Sequence, residues 1–272
     1  MELPIITMLS YRESALLVMQ LKVLGCSGGV GGNLRTTSFL LDEDILIDAG
    51  TGVGDLSFEE LCRIDHIFLT HSHLDHVTSI PFLLDTVMGK RTKPIYLHAL
   101  DRTIEALKSH IFNWVIWPDF NLIPNADSPV LQYCPIKVGE TVSIDERNIT
   151  PLTVNHVVPA VGFRIDSGSA SLVFTGDTTK CDELWEEINR IQNLKYLIIE
   201  TAYSNAEREL ALVSKHLCPS LLTEELKKLL HESEIFITHL KPDERKLIMD
   251  EIKVSAASLN AKALENGQVF RL

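Results

Sequence analysis

Thr70-His71-Ser72-His73-Leu74-Asp75-His76 follows the apolar run Asp65-His66-Ile67-Phe68-Leu69 and sets three histidines and an aspartate at the tip of a strand. Alternate residues of an extended chain point to the same side, so His71 and His73 can grip one ion. Asp75 and His76, where the chain turns into a helix, can face a second. Imidazole and carboxylate without thiolate suit Zn²⁺ first, with Mn²⁺ or Fe as the other candidates, in an open catalytic site. A histidine-rich surface loop is the bland alternative, and the H-x-H-x-D-H spacing at a strand end argues against it.

Further ligands are expected at other strand ends. The β-branched-rich runs are QLKVLG (20–25), TSFLL (37–41), DILIDAG (44–50), HIFLTH (66–71), PIYLHA (94–99), NITPLTVNH (148–156), VGFRI (161–165), SLVFTGD (171–177), YLIIET (196–201) and EIFITH (234–239). Helical periodicity covers 101–112, 181–191, 223–233 and 243–257. His156, Asp177 and His239 each close a strand. Asp177 follows Gly176 and could bridge two ions with its two oxygens, or simply cap a helix N-terminus. Alone, His156 or His239 fits a packed or hydrogen-bonded core histidine better than a ligand. Ile67-Phe68-Leu69-Thr70-His71 returns as Ile235-Phe236-Ile237-Thr238-His239, so two similar halves are expected. They would form an α/β (α+β) sandwich of two mixed sheets covered by helices, with the site at one edge.

The chain has 272 residues, 45% hydrophobic and 23% charged, enough to bury a core and too apolar to be disordered. No apolar run approaches the ~18 residues of a membrane span, so no membrane partner is expected. The net charge of −12 repels extended nucleic acid while leaving a small anion free to bind local cations. The five cysteines are odd in number and include no C-x-x-C pair, which suits a reducing compartment. The first residues lack the features of a secretory signal, and a cytoplasmic location is expected. Residues 1–19 are set apart as an N-terminal extension, either native or the product of an overcalled start codon. Residues 20–272 are expected to form one domain, because no Pro-, Gly- or Ser-rich linker divides them.

These residues, in this order, resemble the metallo-β-lactamase superfamily. The similarity runs from about Val23 to the C-terminus, and the five superfamily motifs fall on Asp48, His71 to His76, His156, Asp177 and His239. The resemblance implies two divalent ions. One would be held by His71, His73, His156 and Asp177, the other by Asp75, His76, Asp177 and His239. Asp48 would orient the histidine loop. The di-iron electron-transfer branch has Glu where His73 stands, so the resemblance favours hydrolysis over redox chemistry.

His73 to Ile80 is similar to the signature of class II cyclic-nucleotide phosphodiesterases, with Pro81 and Phe82 departing from its aliphatic end. Glu200-Thr201-Ala202-Tyr203 and Lys215-His216-Leu217-Cys218-Pro219 resemble that family's E-[ST]-[SA]-[FY] and G-H-L-T-P segments, with Lys215 and Cys218 as departures. Phe112 to Phe120 resembles the aromatic insertion of its bacterial members. Trp114, Trp117 and Phe120 could stack on a purine, although as a bare pattern such residues are more often core. The glycine-rich stretch 25–32 is followed by another strand rather than the helix of a dinucleotide fingerprint. It resembles the superfamily's first hairpin loop, where Arg35, Thr37 or Ser38 could touch a phosphate.

The resemblance therefore implies a phosphodiesterase that hydrolyses 3′,5′-cyclic nucleotides, cAMP first, to 5′-monophosphates. A hydroxide bridging the ions would attack phosphorus, with Asp75 in the machinery and His216 protonating the departing 3′ oxygen. The alternatives within the fold are a ribonuclease that processes tRNA 3′ ends and a lactone or thioester hydrolase. No basic arm of the kind that would hold tRNA is visible. A metal-free interaction subunit should have lost ligands, and every ligand position is filled. A homodimer is expected from family resemblance alone.

Overall fold

The computed structural model describes residues 18–272. The extension set apart at residues 1–19 lies outside them except for Val18 and Met19, and Met19 is buried in the core. Strands β1 (Gln20–Gly25), β2 (Ser38–Leu41), β3 (Ile45–Ala49), β4 (His66–Phe68), β5 (Ile95–Ala99) and β6 (Leu131–Pro135) run side by side in one sheet. Strands β7 (Val142–Ile144), β8 (Arg147–Thr153), β9 (Val161–Asp166), β10 (Ser171–Phe174), β11 (Leu194–Glu200), β12 (Glu234–Thr238) and β13 (Lys262–Ala263) form the second. The last strand, β14 (Val269–Arg271), returns to pair antiparallel with β1 and closes the first sheet's outer edge. Both sheets change from antiparallel to parallel pairing partway across, at β3–β4 in the first and β10–β11 in the second.

Burial of both faces explains why these strands read as nearly continuous apolar runs. Ile45, Ile47, Phe68, Phe163, Phe174 and Ile198 point between the sheets, where Phe39 meets Phe174 with ring centroids 4.8 Å apart. Their neighbours face outward. Leu46 and Ile67 pack under the helices α3 (Ile80–Val87) and α4 (Asp101–His110) that follow α1 (Phe58–Leu61) and α2 (Leu74–Val77). Leu197 and Ile199 pack under α5 (Asp182–Ile188), α7 (Pro219–Leu226) and α8 (Arg245–Ser255), and α6 (Arg208–Ser214) lies on the approach to α7. The order helix, sheet, sheet, helix is the sandwich expected. Among the described residues no helix is long and apolar enough to cross a membrane.

Several local expectations need correction. The helix expected over 223–233 instead starts at Pro219 and ends at Leu226, because proline suits the first helical turn, where its missing N–H costs nothing. Strand β4 stops at Phe68, so Leu69 to His73 form a loop rather than a strand tip. The repeated Ile-Phe-x-Thr-His runs also occupy unlike places: β4 is the second strand of its parallel set and β12 the third of its own. Topology pairs β3 with β10: Asp48 lies near the end of β3 and Asp177 follows β10.

His98 on β5 is buried, stacks on Phe68 at 4.2 Å and faces His66 Nδ1 at 3.0 Å. Burial pushes its pKa down to about 4, so the folded state holds it neutral. Its contribution is present above the unfolded value of ~6.5 and is lost as pH falls from there toward 4. Chemical denaturation of the metal-free protein across that window should therefore show a shallower loss of stability for His98→Phe than for wild type; equal slopes would contradict this.

Candidate metal centre

The carboxyl ends of β3, β4, β8, β10, β11 and β12 meet at one edge of the sandwich, and each delivers a polar side chain there. Such edges are where open sheets of parallel strands bind ligands. Asp48 sits near the end of β3, His156 follows β8, Asp177 follows β10, Glu200 ends β11 and His239 follows β12. The loop after β4 supplies His71 and His73, and the short α2 carries Asp75 and His76.

Asp48 is fully buried and accepts three hydrogen bonds. They come from the Thr70 amide at 2.8 Å, from the Thr70 hydroxyl at 2.8 Å and from His76 Nδ1 at 2.7 Å. Having donated to Asp48, the Thr70 hydroxyl accepts from His71 Nδ1 at 2.9 Å. His156 Nδ1 donates to the Lys215 carbonyl at 3.1 Å. These bonds set the tautomers of His71, His76 and His156, leaving each Nε2 as a bare lone pair. All three lone pairs converge. His71 Nε2 lies 3.6 Å and His76 Nε2 3.4 Å from Asp177 Oδ2, while His156 Nε2 is 3.3 Å from His73 Nδ1. On the far side His239 Nδ1 lies 3.2 Å from Asp177 Oδ1 and its Nε2 lies 3.7 Å from Asp75 Oδ2.

Two four-residue clusters result, His71, His73, His156 and Asp177, and Asp75, His76, Asp177 and His239, and Asp177 also groups with Glu200 and His216; in each the donor atoms lie within 4.8 Å of one another. Asp177 belongs to all three. Burial opposes its charge, yet His239 and His76 beside it hold the carboxyl well below the usual carboxylate range. His71 Nε2, His76 Nε2 and His239 Nδ1 are buried without a hydrogen-bond partner. Orphaned buried nitrogens are costly and rare. Three of them turned toward one bridging carboxylate, in an all-imidazole and carboxylate donor set, are what a divalent cation satisfies.

Backbone strain supports the same place. Asp48 and His239 have φ of 56° and 61°, left-handed values that are uncommon for non-glycine residues. The glycine-rich loop is shaped around them. A Cβ on Gly28 would stand 2.3 Å from the His239 carbonyl oxygen, so only glycine lets the loop lie against that histidine.

Beside the clusters, His216 Nδ1 bonds Glu200 Oε1 at 2.7 Å, and Glu200 also accepts from the amides of Thr178 and Leu217. Burial alone would lower the His216 pKa, but the charge and hydrogen bond of Glu200 outweigh it and push it up to about 9. The ring stacks on His239 at 5.2 Å and meets His156 edge-on at 5.0 Å, so it borders both clusters.

Not every residue expected at the site reaches it. Ser38 is completely buried and donates its hydroxyl to the Thr36 carbonyl at 3.2 Å, so no surface remains for a phosphate. Phe120 is a core residue against Phe112, with no face left for a purine. Trp117 packs half-buried against the core and on Phe82 at 5.4 Å. Trp114 alone of the three presents most of its ring to solvent, at 62% exposure. Two participants escaped the sequence: Thr70, whose hydroxyl relays Asp48 to His71, and Glu200 as the anchor of His216. A buried glutamate ending an apolar strand was the available signal for the second.

Residues 43–255 match the beta-lactamase superfamily domain, which covers most of the chain, and the protein belongs to that family of metal-dependent hydrolases. A probable 3′,5′-cyclic-nucleotide phosphodiesterase of Yersinia pestis is 28% identical over 85% of this chain and 82% of its own. A ribonuclease Z of Clostridium beijerinckii is 28% identical over 54% of this chain, which spans about half (48%) of that relative. The crystal structure of unliganded yeast PDE1 superposes with a TM-score of 0.79 at 20% identity, covering 94% of this chain and 99% of that one. The two sheets, their flanking helices and their edge site are thus a metallo-β-lactamase fold.

Removing the Asp48 carboxylate should free His76 and, through Thr70, His71. Asp48→Ala is expected to weaken Zn²⁺ binding about 10- to 100-fold in a chelator competition, and wild-type affinity in that variant would contradict the arrangement.

Proposed function

We propose that the protein hydrolyses 3′,5′-cyclic nucleotides, cAMP first, to 5′-monophosphates. The observation that carries this is the pair of clusters sharing Asp177, with the Glu200–His216 pair set against both. The name of the Yersinia pestis relative supports the same substrate class. In this reading His71, His73, His156 and Asp177 hold one divalent cation and Asp75, His76, Asp177 and His239 a second, with Zn²⁺ preferred. Such a pair lowers the pKa of water to the neutral range and neutralises charge growing on phosphoryl oxygens.

The chain itself does the rest. Asp48 and Thr70 fix the imidazole tautomers before substrate arrives, so no reorganisation is spent during reaction. Glu200 holds His216 by Nδ1 and leaves Nε2 free, with a proton to give to the departing 3′ oxygen. The charge and hydrogen bond of Glu200 push the His216 pKa up to about 9, so the ring carries that proton at neutral pH. The charge of −12 turns long polyanions away, while a small anion sees chiefly the local cations. Trp114 is the aromatic surface left for a base. A second reading, cleavage of tRNA 3′ ends, is favoured by the ribonuclease Z relative and opposed by that charge.

Purified protein given Zn²⁺ or Mn²⁺ should convert cAMP to 5′-AMP, identified by chromatography, and a chelator should stop it. Metal-loaded protein that leaves cAMP intact and trims a tRNA precursor would decide for the second reading. His216→Ala should keep its metal and lose about 10²-fold or more in kcat; a variant as fast as wild type would remove His216 from the reaction.

A further inference from the structure

We propose that Lys215 is a positioning residue for His156, holding both its ring and its main chain. Resting on the reading of His156 as a metal ligand, the proposal starts from a departure: Lys215 stands where the resembling segment G-H-L-T-P has glycine. Its backbone is left-handed, with φ 54° and ψ 50°, and it terminates α6 by donating its amide to the carbonyls of Ala211 and Leu212. Glycine is the default residue for such a helix end, because it has no Cβ to crowd the carbonyl. A lysine there carries strain that a bare cap does not require, and its side chain is not idle.

The Lys215 carbonyl accepts from His156 Nδ1 at 3.1 Å, and Lys215 Nζ donates to the His156 carbonyl at 3.1 Å. One residue thus grips both the ring and the main chain of His156. That matters because His156 lies beyond the end of β8, outside the sheet's hydrogen-bond ladder. The left-handed turn aims the carbonyl, the ammonium fixes the segment the ring hangs from, and Nε2 is left facing His73. The same turn leads directly to His216, so Lys215 ties the ligand histidine and the Glu200-bound histidine to one backbone conformation.

The test compares Zn²⁺ affinity, by competition with a chromophoric chelator, and the unfolding midpoint of metal-free protein. The set is wild type, Lys215→Gly, Lys215→Arg and His156→Ala. Lys215→Gly suits the left-handed turn and keeps the carbonyl, while it removes the whole side chain with its ammonium. It is expected to bind Zn²⁺ about 10-fold more weakly with an unfolding midpoint at or above that of wild type, and Lys215→Arg is expected to recover most of the affinity. Wild-type affinity in Lys215→Gly together with weakened binding in His156→Ala overturns the proposal alone. A lowered midpoint with unchanged affinity does the same, marking Lys215 as structural. Wild-type affinity in His156→Ala overturns the ligand reading and the proposal with it.

Discussion

Three hydrogen bonds converge on the Asp48 carboxylate, two from Thr70 and one from His76, in a place with no access to solvent. Taking a carboxylate out of water is unfavourable unless its lone pairs are met, and burial duly raises the Asp48 pKa even with His76 against it. Meeting those lone pairs dictates where the loop after β4 must lie. Once Thr70 is bound twice, His71 has its Nδ1 on the Thr70 hydroxyl, His76 has its Nδ1 on Asp48, and the remaining nitrogens can only face Asp177. The metal centre is thus a consequence of one buried carboxylate on one sheet, answered by a second, Asp177, on the other.

That arrangement is held by the sandwich rather than by the loops themselves. Phe39, Phe68, Phe163 and Phe174 fix the separation and angle of the two sheets, and with it the distance between the strand ends that carry Asp48 and Asp177. Asp48, His239 and Lys215 are three of the non-glycine residues with left-handed backbone, and all three border the site. Residues in such conformations persist where their surroundings over-determine them. Here the surroundings are the glycine loop against His239, the Asp48 bonds, and the double grip of Lys215 on His156.

The strands were legible because burial on both faces makes them apolar throughout, and the candidate ligands because H-x-H-x-D-H is specific and the family resemblance assigned the later His156, Asp177 and His239. What failed to show in the sequence failed for physical reasons. Phe120 and Trp114 belong to one aromatic segment and look alike in it, but one fills the core and the other faces solvent. Ser38 adjoins the glycine loop in sequence, yet its strand is buried on both faces. Helix α7 begins earlier than its charged stretch implied, since Pro219 makes a good first residue.

By itself the sequence determined the class of fold and set seven histidines and aspartates near strand ends as candidate ligands, while their division into two sets came from the family resemblance and not from the spacing. Only the tertiary structure decided which nitrogen of each histidine is free, that Thr70 and Glu200 take part, and that Lys215 reaches His156. Tautomer and orientation are set by partners such as Asp48 and His76, 28 residues apart, or Lys215 and His156, 59 residues apart. Only folding brings such pairs within a hydrogen bond's length.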